Sequence, residues 1–458
     1  MTNMCPGTGT GYHGISHGGV AMKNHIVSAA KLFAAAFALA AAAAAQPAPT
    51  FTKDVAPIFN RNCVNCHQPG EIAPMSLLTY EQARPWAKSI REKVVRGQMP
   101  PWHSTDPKGT FLNDRRLTDA EKNIITRWVD AGAPQGDPKD MPPAAKFVAG
   151  WEIGKPDLIL SMAKAFTVPA TGTIDYKYFQ IPSTFTEDKW IQKIEVRPGA
   201  LSVVHHILLY AKDPAHPGKL PDAYKQLVPA PRPPRQLTPE QIEQMQQRDP
   251  GVLIGMTAPG TNAMIFKPGV AMKIPAGATL TFQIHYTANG KTPVDDLSSV
   301  GIVFAKDAPK QELHNTAFLN PTLVLPPGAA DVTIPTAIEF TEDSHITALV
   351  PHTHVRGKGW EYKLVFPDGH TMNALSVPNY DFNWQTLYVY TNPIAVPKGT
   401  RLETVAHYDN SVNNKSNPDP TKEVHWGDQT WEEMQYTGIQ YTVDDAKAPA
   451  RSTAGGGQ

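Results

Sequence analysis

Val203-Val204-His205-His206-Ile207-Leu208-Leu209-Tyr210 carries a short strand-like run at 206–210, in a β-branched and aliphatic stretch free of Gly and Pro. Comparable runs recur at 176–181, 190–197, 279–286, 300–304, 344–349, 362–366, 387–390, 402–408 and 436–441. Turn signals such as Arg197-Pro198-Gly199 and Pro367-Asp368-Gly369 separate them. Short strands at regular spacing, with no helices between them, predict two all-β sandwiches of the jelly-roll kind, dividing near 305–325. One Pro-rich excursion, 213–250, contains a polar helical stretch from Thr238-Pro239-Glu240 to Gln247 and reads as a surface insertion.

The chain has 458 residues, too many for one core, so several domains are expected. Lys+Arg and Asp+Glu both number 42, which gives no reason to expect nucleic acid or an anionic membrane as partner. A long apolar run spans 26–45, preceded by Met22-Lys23 and followed by Gln46-Pro47. A short basic start, an Ala-rich middle and small residues at the end make 22–45 a signal peptide, with 1–21 a probable non-native upstream extension. A periplasmic or secreted protein is expected, with no transmembrane anchor after cleavage. There are three cysteines, Cys5, Cys63 and Cys66, so no pair remains for a structural disulfide once the latter two are used.

Those two lie in Cys63-Val64-Asn65-Cys66-His67. Two thiols at this spacing can add to both vinyl groups of a haem while the adjacent imidazole binds iron. The same pattern also serves as a redox dithiol or half a zinc site. Here there is no second CxxC and no thioredoxin-like pattern around it, so covalent haem c is expected on Cys63, Cys66 and His67. The sixth iron ligand is expected from Met99 in Gly97-Gln98-Met99-Pro100-Pro101-Trp102-His103, with His103, or no ligand, as alternatives and Met75 a weaker rival. Residues 51–60 have helical spacing. Thr118 and Glu121 form a capping box for a helix that carries Ile124, Ile125, Trp128 and Val129 and stops at Ala131-Gly132-Ala133-Pro134. Residues 50–136 thus resemble a small all-α cytochrome c domain, and 137–150 read as a linker. The sandwiches follow at 151–312 and 313–445, and 446–458 as a disordered tail.

The β region carries a series of soft ligands. On a strand, residues i and i+2 face the same way, so His352-Thr353-His354 offers two imidazoles together. His205 and His206 would face opposite sides of an ideal strand, and joint ligation there needs a bulge or twist. His285 in Gln283-Ile284-His285-Tyr286 and Met434 after Glu432-Glu433 would each pass alone for core residues.

Taken in order with their flanks, these segments resemble the copper type II, ascorbate-dependent monooxygenases, the family of the peptidylglycine α-hydroxylating and dopamine β-monooxygenases. The resemblance spans about 150–445 and includes Ile194-Glu195-Val196-Arg197-Pro198-Gly199 and the segment 258–275. It implies an electron-transfer copper on His205, His206 and His285, and an oxygen-activating copper on His352, His354 and Met434. A thioether favours Cu(I), which independently argues for copper over zinc. His314, His345, His370, His407 and His425 have no partner pattern and fall to surface, packing or supporting roles.

This chain also departs from the family. The disulfides of the animal enzymes are missing. The arginine that grips the substrate carboxylate in peptide-hydroxylating members, two positions before the first His of the His-x-His pair, is Val350 here. The Asn and Tyr those members place two and four positions after the ligand Met are Tyr436 and Gly438.

The resemblance and the haem box together predict an exported haem- and copper-containing monooxygenase that hydroxylates a C–H bond with O2, electrons being relayed by the haem and the three-histidine copper. Its partners would be O2, an unknown small-molecule or peptide substrate (glycine-extended peptide disfavoured) and an external donor, either an ascorbate-like reductant or a redox protein. The rival expectations are a non-catalytic periplasmic electron carrier or copper-binding protein, or a small-molecule-binding domain on a cytochrome.

Overall fold

The computed structural model describes residues 47–69, 71, 73–145, 150–181, 185–215, 223–227, 251–258 and 263–444. The signal peptide expected at 22–45, the upstream stretch 1–21 with Cys5, the helical stretch expected within 238–247 and the tail expected at 446–458 lie outside the described residues.

Most of the described chain is β-sandwich, and all ten strands expected from the sequence are present. In the first half, strands Leu158–Ser161, Ser299–Phe304, Lys189–Arg197 and Val270–Ile274 lie side by side. They face a four-stranded sheet in the order Lys177–Ile181, Thr279–Tyr286, Val204–Lys212, Val252–Thr257. Alternation does the work of a core here. Ile207, Leu209 and Ala211 on one strand and Leu280, Phe282 and Ile284 on its neighbour meet Ile191, Ile194 and Val196 from the opposite sheet, all essentially inaccessible.

In the second half, Gln311–Leu319, Tyr436–Val443, Ser344–His352 and Tyr388–Val396 face a five-stranded sheet built on Gly357–Val365, Arg401–Tyr408 and Val332–Phe340. Trp360, Tyr362, Tyr408 and Tyr441 fill the space between, each no more than 1% exposed. The described part of the 213–250 excursion, Tyr224–Leu227, is an edge strand of this second sandwich, paired with Val332–Phe340. The two halves share a sheet, because Gln311–Leu319 pairs in parallel with Val270–Ile274 and antiparallel with Tyr436–Val443. The boundary expected at 312/313 falls within that strand.

His314, on the same strand, packs against the Tyr441 ring with centroids 5.1 Å apart. Burial pushes its imidazole down to about 4. An unfolded histidine titrates at about 6.5, so the stability from the neutral ring is complete above that pH and is lost as pH falls toward the folded value. The loss reaches about 2 kcal/mol near pH 5. His314→Phe keeps the ring packing and should make melting between about pH 7.5 and about pH 5 less acid-sensitive by this amount. Equal acid shifts in both proteins would contradict the assignment.

N-terminal to the sandwiches, helices Ala56–Asn62, Ala87–Val95 and Asp119–Asp130 surround a core of Phe51, Phe59, Ile90, Ile125 and Trp128. The capping box at Thr118 and Glu121 is complete, with both reciprocal bonds made. The stop at Gly132 takes a left-handed φ of 87°, and the chain then turns back so that Pro134 and Gln135 carbonyls accept from Phe51 N and Thr52 N. A single turn, Pro138–Asp140, occupies the expected linker.

The segment after Met99 leaves the helical core and joins the second sandwich. Trp102 and Phe111 belong to that sandwich's core, with Trp102 5.0 Å from the Tyr388 ring and Phe111 5.1 Å from Tyr390. Backbone bonds from Leu112 N to Val389 O and Thr391 N to Thr110 O (2.8 and 2.9 Å) extend the strand Tyr388–Val396 by a bridge. Asp106 adds a bond from Ser376 N at 3.0 Å. The helices are thereby tied to the sandwich through side-chain and backbone contacts, not only through the covalent chain.

Candidate functional site

Two cavities lie near the expected site residues. The first, about 660 Å³, is lined by Cys63, Cys66, His67, Met75, Met99 and His103 among others, so every sequence-nominated residue of the helical segment faces one space. His67 Nδ1 lies 3.1 Å from the Met75 carbonyl, to which it donates as the Nδ1–H tautomer, leaving Nε2 free as a lone-pair donor. Met75 is therefore held by its backbone on the side of the ring turned away from Nε2. Burial pushes the Cys63 thiol up to about 12, and the Cys66 thiol up as well. Neither is poised as a thiolate at neutral pH, unlike the nucleophile of a redox dithiol.

His205, His206 and His285 form a cluster whose ligand-capable atoms all lie within 4.8 Å of one another. Of the bulge or twist that joint ligation needs, the structure has a bulge. His285 pairs with His206 but Tyr286 pairs with Val204, so His205 is the extra residue and turns to the same side as its neighbour. The three rings stand 5.1 to 5.3 Å apart at steep mutual angles. His205 Nδ1 and His206 Nδ1 are 3.1 Å apart, and His285 Nδ1 is buried with no hydrogen-bond partner among the described residues. On its other face, His285 Nε2 shares a hydrogen bond of 3.3 Å with Thr430 Oγ1. Converging ring nitrogens, one of them orphaned, are what a three-coordinate metal would satisfy.

His352 and His354 sit where the strand Ser344–His352 ends, with ring centroids 5.3 Å apart. His352 Nδ1 meets Gln385 Oε1 at 3.1 Å and His354 Nδ1 meets the Glu432 carbonyl at 3.3 Å. Each oxygen accepts, which fixes the Nδ1–H tautomer and leaves Nε2 bare; His354 Nε2 is buried without a partner among the described residues. Tyr380 holds the peptide between them, its hydroxyl accepting from Thr353 N and donating to Thr353 O. Gly357 lies so close that a Cβ there would stand 1.7 Å from Thr353 Oγ1.

Glu433 binds the two arms together. Its buried carboxylate accepts from His354 N (2.9 Å), Arg356 N (2.7 Å) and Met434 N (3.1 Å). Burial pushes its carboxyl up to about 7, against the pull of these donors and of the Arg356 guanidinium. Glu433→Ala would orphan three N–H groups and unbalance Arg356. A stability loss of about 3–5 kcal/mol is expected in urea melts, with Glu433→Gln losing clearly less. Equal losses would show that the carboxylate does not organise this turn.

These five imidazoles share an electrostatic state. Burial pushes His205 and His352 down to about 4 and His285 to about 3, and drives His206 and His354 well below the ordinary range. At neutral pH all five are uncharged, as a metal site requires.

The second cavity, about 310 Å³, is lined by His206, His352, His354 and Met434, with Tyr176, Tyr210 and Gln440 among the rest. Among the described residues its lining has no Lys or Arg, and Asp428 is its charged member. Val350 and Gly438, both in the lining, are direct cross-strand partners. Two of the three residues that depart from the peptide-hydroxylating pattern expected above therefore coincide in space, and a Cβ at 438 would come within 2.8 Å of Val350 Cβ.

Four supporting residues had no signal of their own in the sequence: Phe382, Gln385, Thr430 and Tyr380. Glu433 stood inside the quoted Glu432-Glu433-Met434 stretch and could have been found as the acidic neighbour of a ligand.

No protein-family model matches this chain, and no curated protein does. Among solved structures, it is similar to the major capsid protein P2 from bacteriophage PM2 (11% identity, 62% of this chain and 97% of that one, TM-score 0.25). It is also similar to the mavirus major capsid protein (10% identity, 68% and 92%, TM-score 0.17) and to an allantoicase (8% identity, 54% and 81%, TM-score 0.15). All three scores are far below 0.5, and none of these likenesses carries an argument about function. Among the described residues, no helix is long and apolar enough to cross a membrane.

Proposed function

We propose that this chain is an exported, haem- and copper-containing monooxygenase of the copper type II, ascorbate-dependent kind, with an N-terminal cytochrome c domain and two jelly-roll sandwiches. One observation carries the reading. The three-histidine cluster faces both cavities, through His205 into the one with Cys63, Cys66 and His67 and through His206 into the one with His352, His354 and Met434. Such an arrangement serves a chain of electron carriers ending at a reactive site.

The residues fit the groups they would hold. Cys63 and Cys66 would take the haem as thioethers, His67 Nε2 would ligate the iron, and Met99 or His103 would offer a further ligand. Three neutral imidazoles suit an electron-transfer copper, and two imidazoles with the Met434 thioether favour Cu(I). When bound, these groups supply two electrons and activate O2, so that a substrate C–H becomes C–OH and the second oxygen leaves as water with two protons.

The chain's own part is positional. Gln385, Glu432 and Glu433 fix the ligand arm, and the Tyr-rich walls shape the substrate space. A cavity of this size without a cationic grip suits a small neutral or cationic substrate better than a carboxylate. The test uses 18O2 with the metal-loaded protein, ascorbate, and three probes: an alkylbenzene, a phenylalkylamine and an N-acylglycine. Incorporation of 18O into one of the first two, and little into the third, is expected. No 18O in any product would overturn the assignment.

A further inference from the structure

Between the cavity at Cys63 and both ligand clusters lies one short segment, 381–385, and it touches all three sites. Asp381, Asn383 and Trp384 line the first cavity beside His205. Phe382 points the other way. Its ring stacks on His205 at 5.2 Å and 23°, with His354 at 6.2 Å and His285 at 6.4 Å. Gln385 then accepts from His352 Nδ1.

The segment is rigidly held. Asp381 Oδ1 accepts from Asn383 N and Asn383 Nδ2 at 2.9 and 2.8 Å, and Trp384 N donates to Asp381 O at 2.9 Å. A few residues on, Leu387 O and Val389 N are bonded by Asn113, whose own segment follows Met99 and His103, which line the same cavity.

We propose that 381–385 is an electron bridge: it sets His205, and with it the three-histidine cluster, against the haem cavity, so that electrons pass from haem to this cluster within one chain and without a diffusing carrier. This rests on the metal reading above. With both groups bound, the step would be a bare electron transfer, one electron leaving the ferrous haem for the cupric three-histidine site, with no heavy-atom bond formed or broken. Phe382 is a positioning residue. Its stack fixes the ring plane of His205, and transfer between redox centres depends steeply on how the protein positions them.

The experiment is flash photoreduction of the haem in the fully oxidised holoprotein, followed by its absorbance under argon, with iron and copper counted on the same samples. A reoxidation phase whose rate is independent of protein concentration is expected, and it should disappear in copper-depleted protein. Phe382→Ala and Phe382→Leu should slow it at least tenfold with copper retained and the haem potential unchanged, and Phe382→Tyr should restore it. A rate proportional to protein concentration, or wild-type rates in both metal-loaded Phe382 variants, would overturn the bridge and leave the metal assignment standing. Holoprotein with no iron or no copper would overturn both.

Discussion

Met434→Ala is expected to lower bound copper from about two ions per chain to about one and to reduce O2-dependent turnover by about 10²-fold or more. The estimate is a floor, because loss of partners one shell further out already costs about 10–100-fold in metal affinity or activity. Met434 is placed for this role by its neighbours. Its backbone N donates to Glu433, the carboxylate that also holds His354 N, and its carbonyl accepts from the Tyr408 hydroxyl at 2.8 Å. The side chain faces the cavity shared with His352 and His354. Alanine leaves that scaffold intact, so the fold and the three-histidine copper should survive. Met434→His tests the softness argument separately: it should keep the second metal but weaken the preference for Cu(I) and fail to restore turnover. Full copper retention and full turnover in Met434→Ala would remove Met434 from the site.

Replacing both Cys63 and Cys66 by alanine is expected to abolish covalently bound haem altogether, read as loss of the haem stain on a denaturing gel. Both thiols face the same cavity as His67 Nε2, which the Met75 carbonyl aims by holding Nδ1. Single replacements should leave one thioether and a partial stain. The β-sandwiches should still fold and bind copper, because their ligands come from other elements, but electrons from an external donor should reach the three-histidine site more slowly. A persisting covalent stain in the double variant would place the attachment elsewhere.

The sequence spoke clearly where chemistry and period coincide. The strand Val204–Lys212 was legible from its apolar run at 206–210, and the need for a bulge or twist from two adjacent histidines that strand geometry would otherwise separate; that it is a bulge at His205 was not. The capping box at Thr118 was legible because both of its partners lie within four residues. Other strands were hidden for physical reasons. Val332–Phe340 contains Pro335, tolerated because the edge strand Tyr224–Leu227 begins pairing only at Ala337. Gln311–Leu319 carries Glu312, His314 and Asn315, so its apolar signal is diluted.

Within the candidate site, the ligand types and order could be read, but their supports could not. Gln385, Phe382 and Thr430 come from loops brought across the molecule by topology, and nothing in their local sequence marks which histidine they will meet. Trp102 and Phe111 illustrate the same limit. An aromatic residue in an aperiodic, Pro-rich stretch announces that it will be buried, yet carries no period to say in which core.

The most direct test of the account is the iron and copper content of the mature protein, produced through an export pathway that attaches haem and then refilled with copper. The account predicts one covalently held iron and two copper ions per chain. One iron with no tightly held copper would contradict it and leave an electron carrier joined to a pair of β-sandwiches.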